Sequence, residues 1–302
     1  MRSVCFKQAL QLLLIALCCF LAAPDLQACN SCGGSLTSGT WGTGNQVGRN
    51  FLSLRYRSLD FRRDGYTGIS NFDQLSLSGS WNPHERVQLL ATLPVILQAS
   101  ERAGKSRLRQ RSLGDASILA RVPVFLREPE DSEKASQRLS IGAGLKLPTG
   151  RVTDPDPESV VEGMAAGTGS WDLLAELSYQ FVLKRTGIQV QSSYQRSGRN
   201  AMDYRFGDQW NGAFQLNHWF DLAGAKLVPY AGFSGEWLQR DADQGFWRND
   251  TGGFGLYSTL GAEWLAGNWT AGAEYQQPIA QDYGRGALSA RGRWTLTAGW
   301  FF

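Results

Sequence analysis

The chain has 302 residues, of which 42% are hydrophobic and 19% charged, and this composition would suit one large or two medium soluble domains. Glycine, with 35 residues, and aromatic residues, at 12%, are in excess, which favours many short strands and turns. The 30 basic and 27 acidic residues nearly balance, which excludes a general polyanion binder, so no nucleic-acid partner is expected.

The first segment has the pattern of a secretory signal. Arg2 and Lys7 precede the apolar run Leu12 to Ala23, and Leu26-Gln27-Ala28 has the pattern of a signal-peptidase cleavage site. Twelve apolar residues are too few for a membrane-spanning helix. We therefore predict a cleaved signal peptide at 1–28 and export of the remaining chain.

Two cysteines, Cys29 and Cys32, begin the mature chain, and no other cysteine follows them. The pair could form a disulfide, Cys29 could be lipidated, or both thiolates could bind a metal; a tetrahedral zinc site would need more ligands, so no metal is expected. Residues 29–49 are rich in Gly, Ser and Thr. This segment is either a flexible periplasmic tail or a plug that folds into a lumen, with Trp41 as its contact.

Period-2 alternation of apolar and polar residues continues from residue 50 to the end of the chain and predicts twelve strands. The even number is typical of bacterial outer-membrane barrels, in which an apolar outer face and a polar lumen average to a polar mean hydropathy, here −0.28. We therefore predict an all-β, antiparallel up-and-down transmembrane barrel over 50–302. The predicted strands lie near 50–61, 74–81, 87–95, 114–126, 139–148, 170–182, 188–196, 208–220, 226–238, 253–265, 269–279 and 288–302.

The connections between these strands alternate in length. Five, at 82–86, 127–138, 183–187, 221–225 and 266–268, are mostly short and predict periplasmic turns. The six at 62–71, 98–113, 149–169, 197–207, 239–252 and 280–287 are longer and predict external loops. Both chain ends then lie on the periplasmic side.

The last predicted strand ends on an outward aromatic residue, with Trp300 and Phe302 on its apolar face. Such an ending resembles the signal that the barrel-assembly machinery reads, so that machinery is an expected partner. Other aromatic residues lie near predicted strand ends on the apolar face, where an interfacial belt is expected. They are Trp171, Trp210, Trp237, Trp264, Trp269 and Tyr275.

Four segments carry a family resemblance: Gly114-Asp115, 144–150 (Gly-Leu-Lys-Leu-Pro-Thr-Gly), Phe206-Gly207-Asp208 and 228–232 (Val-Pro-Tyr-Ala-Gly). Through them the chain resembles the outer-membrane transporter family named after the meta-pathway of phenol degradation. The resemblance implies an exported barrel that passes small, often aromatic or hydrophobic compounds. It implies no particular site residues.

Charged residues at polar strand positions are predicted to line the lumen. They could form a constriction that selects solutes by size and charge, or a salt-bridge lattice that fills a narrow lumen, since eight-stranded barrels are filled and open porins need about sixteen strands. The predicted set is Arg55, Arg57, Asp115, Arg121, Lys146, Asp172, Glu176, Glu236, Glu263, Glu274, Arg291 and Arg293.

Loop charges suggest further contacts. The basic residues Arg102, Lys105, Arg107, Arg109 and Arg111 suit lipopolysaccharide phosphates, so outer-membrane lipid and lipopolysaccharide are expected partners. Asp154, Asp156 and Glu158 could hold a divalent cation. Ordinary solvation of loops is the simpler explanation for both groups.

Three function classes follow from the residues. A channel or transporter for small solutes is the first, and a non-transporting envelope barrel is the second. A lipid-modifying enzyme is the third; the two histidines, His84 and His218, lack the His-x-Ser spacing of outer-membrane lipases, so no catalytic residue and no enzyme activity is predicted. No Walker loop or dinucleotide-binding glycine pattern occurs, and no cofactor is expected.

Overall fold

The computed structural model describes residues 49–63, 69–102, 105–129, 133–150 and 167–302. The predicted signal peptide, Cys29, Cys32, most of the 29–49 segment and the acidic residues at 154–158 lie outside the described residues. The strands are β1 (Phe51–Arg63), β2 (Ile69–His84), β3 (Val87–Arg102), β4 (Lys105–Leu113), β5 (Ser117–Arg127), β6 (Ser136–Lys146), β7 (Asp172–Leu183), β8 (Thr186–Arg196), β9 (Tyr204–Arg205), β10 (Gln209–His218), β11 (Phe220–Leu222), β12 (Ala225–Leu238), β13 (Ala242–Asp243), β14 (Phe246–Trp247), β15 (Gly253–Ala266), β16 (Trp269–Tyr283) and β17 (Leu288–Phe301).

The strands close into an antiparallel barrel with twelve positions, as predicted. Each main strand pairs with its neighbours in chain order, and β1 pairs with β17 to close the cylinder. β4 and β5 share one position because both pair with β3, and β11 extends β10 along β12. Closure pairs every main strand of the barrel on both sides. This matters in contact with hydrocarbon, where unpaired backbone N–H and C=O groups at a sheet edge would be costly.

One predicted loop is instead a hairpin. The 98–113 connection was expected to be irregular, but β3 continues to Arg102 and β4 begins at Lys105, with Ala99 paired to Arg109. The high content of polar and basic residues predicts a loop. A hairpin, however, requires only that backbone N–H and C=O groups pair, whatever the polarity of the side chains.

The two ends of the barrel differ. Turns of two residues, such as Lys184-Arg185 and Gly267-Asn268, join strands at one end, which we call the short-turn end. The other, long-loop end carries the longer connections. Two of these connections contribute β9, β13 and β14 to a separate three-stranded loop sheet.

The faces of the strands follow the predicted alternation. Outward side chains are large, apolar and exposed, among them Leu54, Leu173, Phe233, Leu260 and Leu296. Exposed tryptophans lie near both ends of the barrel: Trp171, Trp210 and Trp237 at the long-loop end, and Trp81, Trp264 and Trp269 at the short-turn end. Tyr275 differs from expectation, because it lies mid-strand in β16 and packs on Trp294 at 4.5 Å between ring centroids. The barrel thus has an apolar outer wall between two aromatic belts, a surface suited to lipid.

Arg291 was predicted to line the lumen, and the structure contradicts this. Leu59 pairs with Arg293, whereas Phe61 pairs with Ala290, so β17 has one extra residue opposite Asp60. Such a bulge reverses the alternation beyond it. Ala290 is therefore buried inside the barrel, and Arg291 is exposed.

The two chain segments that bound the barrel meet at the short-turn end. Phe302 N donates to Asn50 O at 3.0 Å, and Asn50 Oδ1 accepts from Asn82 N at 3.0 Å. The guanidinium of Arg49 lies 4.8 Å from the ring centroid of Phe301, whose ring packs on Phe51. These contacts join the first and last strands beyond the end of their paired residues.

The described residues contain no helix with the length and apolar character needed to span a membrane.

Candidate functional site: the barrel interior

The structure places the other eleven predicted lumen residues inside the barrel. All are buried or nearly so, and they fall into four groups. The first three groups are described by their ion pairs, and the fourth gathers Arg55 and Arg57 with two glutamates.

The first group joins Arg121 of β5 to Glu176 of β7. Arg121 Nε donates to Glu176 Oε1 at 2.7 Å, and Nη1 donates to Gln88 Oε1 at 3.1 Å. The two charged residues are two strands apart, and Gly142 of β6 occupies the same row between them. A Cβ at Gly142 would lie 2.9 Å from Leu119 Cδ2 and 3.3 Å from Glu176 Cβ, so a side chain at this position would be crowded.

The second group joins the two ends of the connection between β6 and β7, which contains 151–166. Asp115 Oδ1 accepts from Gly150 N at 2.8 Å, and Asp115 Oδ2 accepts from Thr168 N at 2.7 Å. One carboxylate therefore holds both ends of this connection. Lys146 Nζ lies 3.5 Å from Asp115 Oδ2 and 2.5 Å from Asp172 Oδ2, which neutralises the two acids.

The third group joins β12 to β17 across two intervening strands. Arg293 Nη1 donates to Glu236 Oε2 at 3.0 Å and Nη2 to Oε1 at 2.5 Å, a bidentate pair. Tyr283 also donates to Glu236 Oε1, and the Arg293 guanidinium lies 3.9 Å from the Tyr257 ring centroid. Because the pair spans three strand steps, it fills part of the lumen cross-section near the long-loop end.

The fourth group contains Arg55 and Arg57 of β1 with Glu263 of β15 and Glu274 of β16. Arg55 is 6% exposed, and its Nε and Nη2 have no hydrogen-bond partner among the described residues. Tyr230 donates to Glu274 Oε2 at 3.1 Å. The rows of β17 and β16 between Arg55 and Glu263 hold only Thr297 and Gly272, which leaves room for the long side chain.

Inner glycines let large side chains lie flat against the wall. A Cβ at Gly261 would be 2.4 Å from Tyr230 Cζ, and one at Gly255 would be 2.0 Å from the Tyr283 hydroxyl. Part of the glycine excess that suggested turns therefore belongs to the interior of β15.

Sequence reasoning missed an amide-rich wall. On β8 and β10 the inward side chains include the buried Gln189, Gln191, Gln215 and Asn217. β8 lies six positions around the barrel from β1, so this uncharged wall faces Arg55 and Arg57 across the lumen. The signal for this wall lies in the alternation, because the amides occupy the same polar strand positions as the charged residues do.

Sequence reasoning also missed an apolar cluster inside the barrel at the long-loop end. Leu59, Phe61, Phe72, Tyr257 and Tyr283 pack together with Ala290. The ring of Phe61 contacts those of Phe72 and Tyr283 edge to face, at 6.0 and 6.2 Å. The lumen is therefore not uniformly polar.

The loop sheet at the long-loop end is held by a buried carboxylate. Asp241 accepts from Tyr204 Oη at 2.6 Å and from Gly207 N at 2.7 Å. Burial raises the pKa of the Asp241 carboxyl, although these two donors oppose the shift. Burial, followed by the nearby Asp241 charge, raises the pKa of the Tyr204 hydroxyl.

The remaining candidate residues have simple surroundings. Trp300 and Phe302 stack at 5.0 Å between centroids near the short-turn end. His218 Nδ1 lies 2.9 Å from Thr186 Oγ1, and His84 Nδ1 accepts from Arg86 N. Within the described ranges, no group of three or more His, Cys, Asp or Glu side chains could hold a metal ion.

Comparison with known proteins supports the barrel fold. No family model matches the sequence, and no curated protein matches it. The chain is similar to a solved outer membrane channel from Pseudomonas putida F1, with a TM-score of 0.62 and 14% identity over 85% of this chain and 96% of that one. The β domain of the Bordetella autotransporter BrkA has a TM-score of 0.49 and 10% identity over 84% and 100%. The first likeness supports the barrel fold.

Proposed function

We propose that this chain is an outer-membrane channel for the passive movement of small solutes. The observation that carries the proposal is a closed barrel with an apolar outer wall and an interior of hydrogen-bonding side chains. Buried polar side chains are costly unless they are hydrogen-bonded, so those without a protein partner would need water or a solute. The similar fold of the P. putida outer membrane channel supports the same reading.

The proposal includes export and membrane placement. The signal peptide at 1–28 directs the chain out of the cytoplasm, the barrel at 50–302 spans the outer membrane, and the short-turn end faces the periplasm. Residues 29–49 form a periplasmic tail or a plug. The assembly machinery reads the last strand through Trp300 and Phe302.

The path for solutes runs along the amide-rich wall. The ion pairs Arg121–Glu176 and Arg293–Glu236 satisfy their own charges, which leaves the neutral amides of β8 and β10 to contact a solute. Paired charges also keep a narrow pore from trapping ions of one sign. The resemblance to the phenol meta-pathway family makes small aromatic or hydrophobic compounds the first solutes to test, and growth of a deletion strain on aromatic and aliphatic carbon sources would identify them.

Liposome swelling tests the channel. We expect the purified protein to admit small solutes with a sharp size limit. Gln215→Trp, inside the barrel, should reduce swelling strongly, whereas Leu216→Trp, on the adjacent outward position, should leave it unchanged. Absence of swelling with every solute, also after removal of residues 29–45, would eliminate the channel.

That last result would support the alternative, a non-transporting envelope barrel. One observation favours it: Arg121 and Glu176 have side chains only 6% and 2% exposed, as expected where ion pairs fill a lumen. Equal swelling by the Gln215→Trp variant and the unmodified protein would instead place the solute path elsewhere in the barrel.

A further inference from the structure

A cleft of about 430 Å³ opens at the long-loop end, above β12 and β15. It lies between the loop that joins β12 to β15 and the turn that follows β16. Its lining residues are Trp237, Leu238, Gln239, Arg240, Trp247, Thr251, Gly252, Gly253, Asp282 and Arg285.

Two guanidinium groups converge beside this cleft. Arg240 Nη1 and Arg285 Nη2 each donate to Asn249 Oδ1 at 3.1 Å. The shared acceptor is a neutral amide, so it holds the two cations close together without neutralising either. Among the described residues, neither Arg240 nor Arg285 forms an ion pair. Like charges at this distance repel, and an anion bound between them would remove the repulsion.

The carboxylates nearby do not occupy this position. Asp250 binds Arg248, with Oδ2 at 3.0 Å from Nη2, and Asp282 lines the cleft on the β16 side. Two arginines therefore face one exposed carboxylate in the cleft itself. The local charge favours an anionic ligand.

The backbone holds the site in shape. Gly284 N donates to Gly252 O at 2.9 Å, which joins the two connections that carry the arginines. Arg285 has a φ of 59°, the left-handed region that non-glycine residues seldom adopt, between two glycines that also have positive φ. This turn directs the Arg285 side chain toward Asn249, so its position does not depend on a ligand.

The cleft borders the outer aromatic belt. Trp237, 46% exposed, ends the outward face of β12, and Trp247, 53% exposed, comes from the loop above it. Indole rings favour the level of lipid headgroups. A charged group bound by Arg240 and Arg285 would lie directly above lipid tails that contact Trp237.

We infer that Arg240 and Arg285 bind the phosphate of an anionic lipid in the leaflet at the long-loop end. Arginine forks match phosphate oxygens with paired hydrogen bonds, and the tryptophans supply apolar contact for the rest of the lipid. The inference rests on the membrane placement proposed above, but not on transport.

Titration of the detergent-solubilised full chain with diphosphoryl lipid A tests the site by thermophoresis. We expect Arg240→Gln combined with Arg285→Gln to raise the Kd about a hundredfold, since each lost charge-assisted hydrogen bond weakens binding about tenfold or more. Arg185→Gln combined with Lys226→Gln removes the same charge at the short-turn end and should leave the Kd unchanged. Heat-dependent electrophoretic mobility would verify that each variant is folded.

Asn249→Asp separates binding from structural support. A carboxylate of the same shape keeps both arginines in place and neutralises one of their two charges, so lipid A binding should weaken while the barrel remains at least as stable. Retained binding in this variant and in the double arginine variant would overturn the inference. Equal competition by inorganic phosphate would overturn the lipid as ligand in favour of free phosphate, whereas failure of inorganic phosphate and of dephosphorylated lipid A to compete would support it.

Liposome swelling by the same variants separates this site from the channel. Weakened lipid binding with unchanged swelling supports both proposals. A protein that binds lipid A through Arg240 and Arg285 but admits no solute would retain the lipid site and eliminate the channel.

Discussion

Arg121 binds Glu176 across a full strand: the guanidinium passes over Gly142 and its Nε donates to Oε1 at 2.7 Å. On β6, the strand between them, the residue paired with both is Gly142, which has no side chain to contact either charge. Arg121, Gly142 and Glu176 occupy one row across three strands. Because Gly142 has no side chain, the two charged residues can reach each other.

Removing one partner of this pair should be strongly destabilising. Glu176→Met would leave the Arg121 charge buried, at a cost of about 3 to 5 kcal/mol, whereas Arg121→Met combined with Glu176→Met should cost much less. Urea unfolding in detergent micelles, analysed as a double-mutant cycle, measures the coupling. Additive effects of the two single changes would contradict the importance of the pair.

A larger side chain at Gly142 should also destabilise the barrel, without any change of charge. Gly142→Val would place methyl groups against Leu119 and Glu176, and overpacking of this kind costs about 1 to 3 kcal/mol. Ala143→Val, on the exposed face of the same strand, is the matched control and should change the unfolding midpoint little. Equal midpoints for both variants would show that the interior has room to spare.

Asp115 should hold together the two ends of the connection that contains 151–166. Asp115→Asn loses the charge that Lys146 neutralises and one of the two acceptors for Gly150 N and Thr168 N. We expect limited proteolysis to cleave between 150 and 167 several times faster than in the unmodified chain. Asp203→Asn, which removes an exposed ion pair with Arg199, should not change this rate.

The loop sheet should become more stable as the pH falls. Burial raises the pKa of Asp241, so the folded sheet binds the proton more tightly than the open form does. Its stability is therefore greatest below the pKa of the unfolded carboxyl and decreases as the pH rises through the raised pKa. Hydrogen-exchange protection of the Gly207 N–H, corrected for the intrinsic exchange rate, should follow this trend.

Asp241→Asn should abolish the pH dependence, because the amide keeps an acceptor but does not titrate in this range. A protection factor that increases from acidic to neutral pH in the unmodified chain would contradict the assigned direction. Swelling of liposomes provides an independent check that the barrel itself is unaffected.

Most of the fold could be predicted from local pattern. The alternation in β7 and β12 assigns each side chain to a face, and the turns at Lys184-Arg185 and Gly267-Asn268 mark where the chain reverses. The hairpin of β3 and β4 was missed, because its polar composition resembles that of a loop. Arg291 was misassigned, because a bulge opposite Asp60 has no signature in the alternation.

The site was predictable only in its members. Burial of Arg121, Glu236 and Arg293 follows from their polar positions in apolar alternation, but their partners lie two or three strands away. The amides of β8 and the aromatic cluster around Phe61 were equally visible as residues. Nothing local indicates that one wall is neutral and faces the arginines of β1.

Alternation along the chain is enough to predict a twelve-stranded barrel with an apolar outside and a hydrogen-bonding inside, because a side-chain period of two follows from strand geometry alone. Which charges meet depends on the tertiary structure. Pairing of Arg121 with Glu176, and convergence of Arg240 and Arg285 on Asn249, depend on strand register and on contacts between distant loops. Register is a property of two strands together, and alternation within one strand does not contain it.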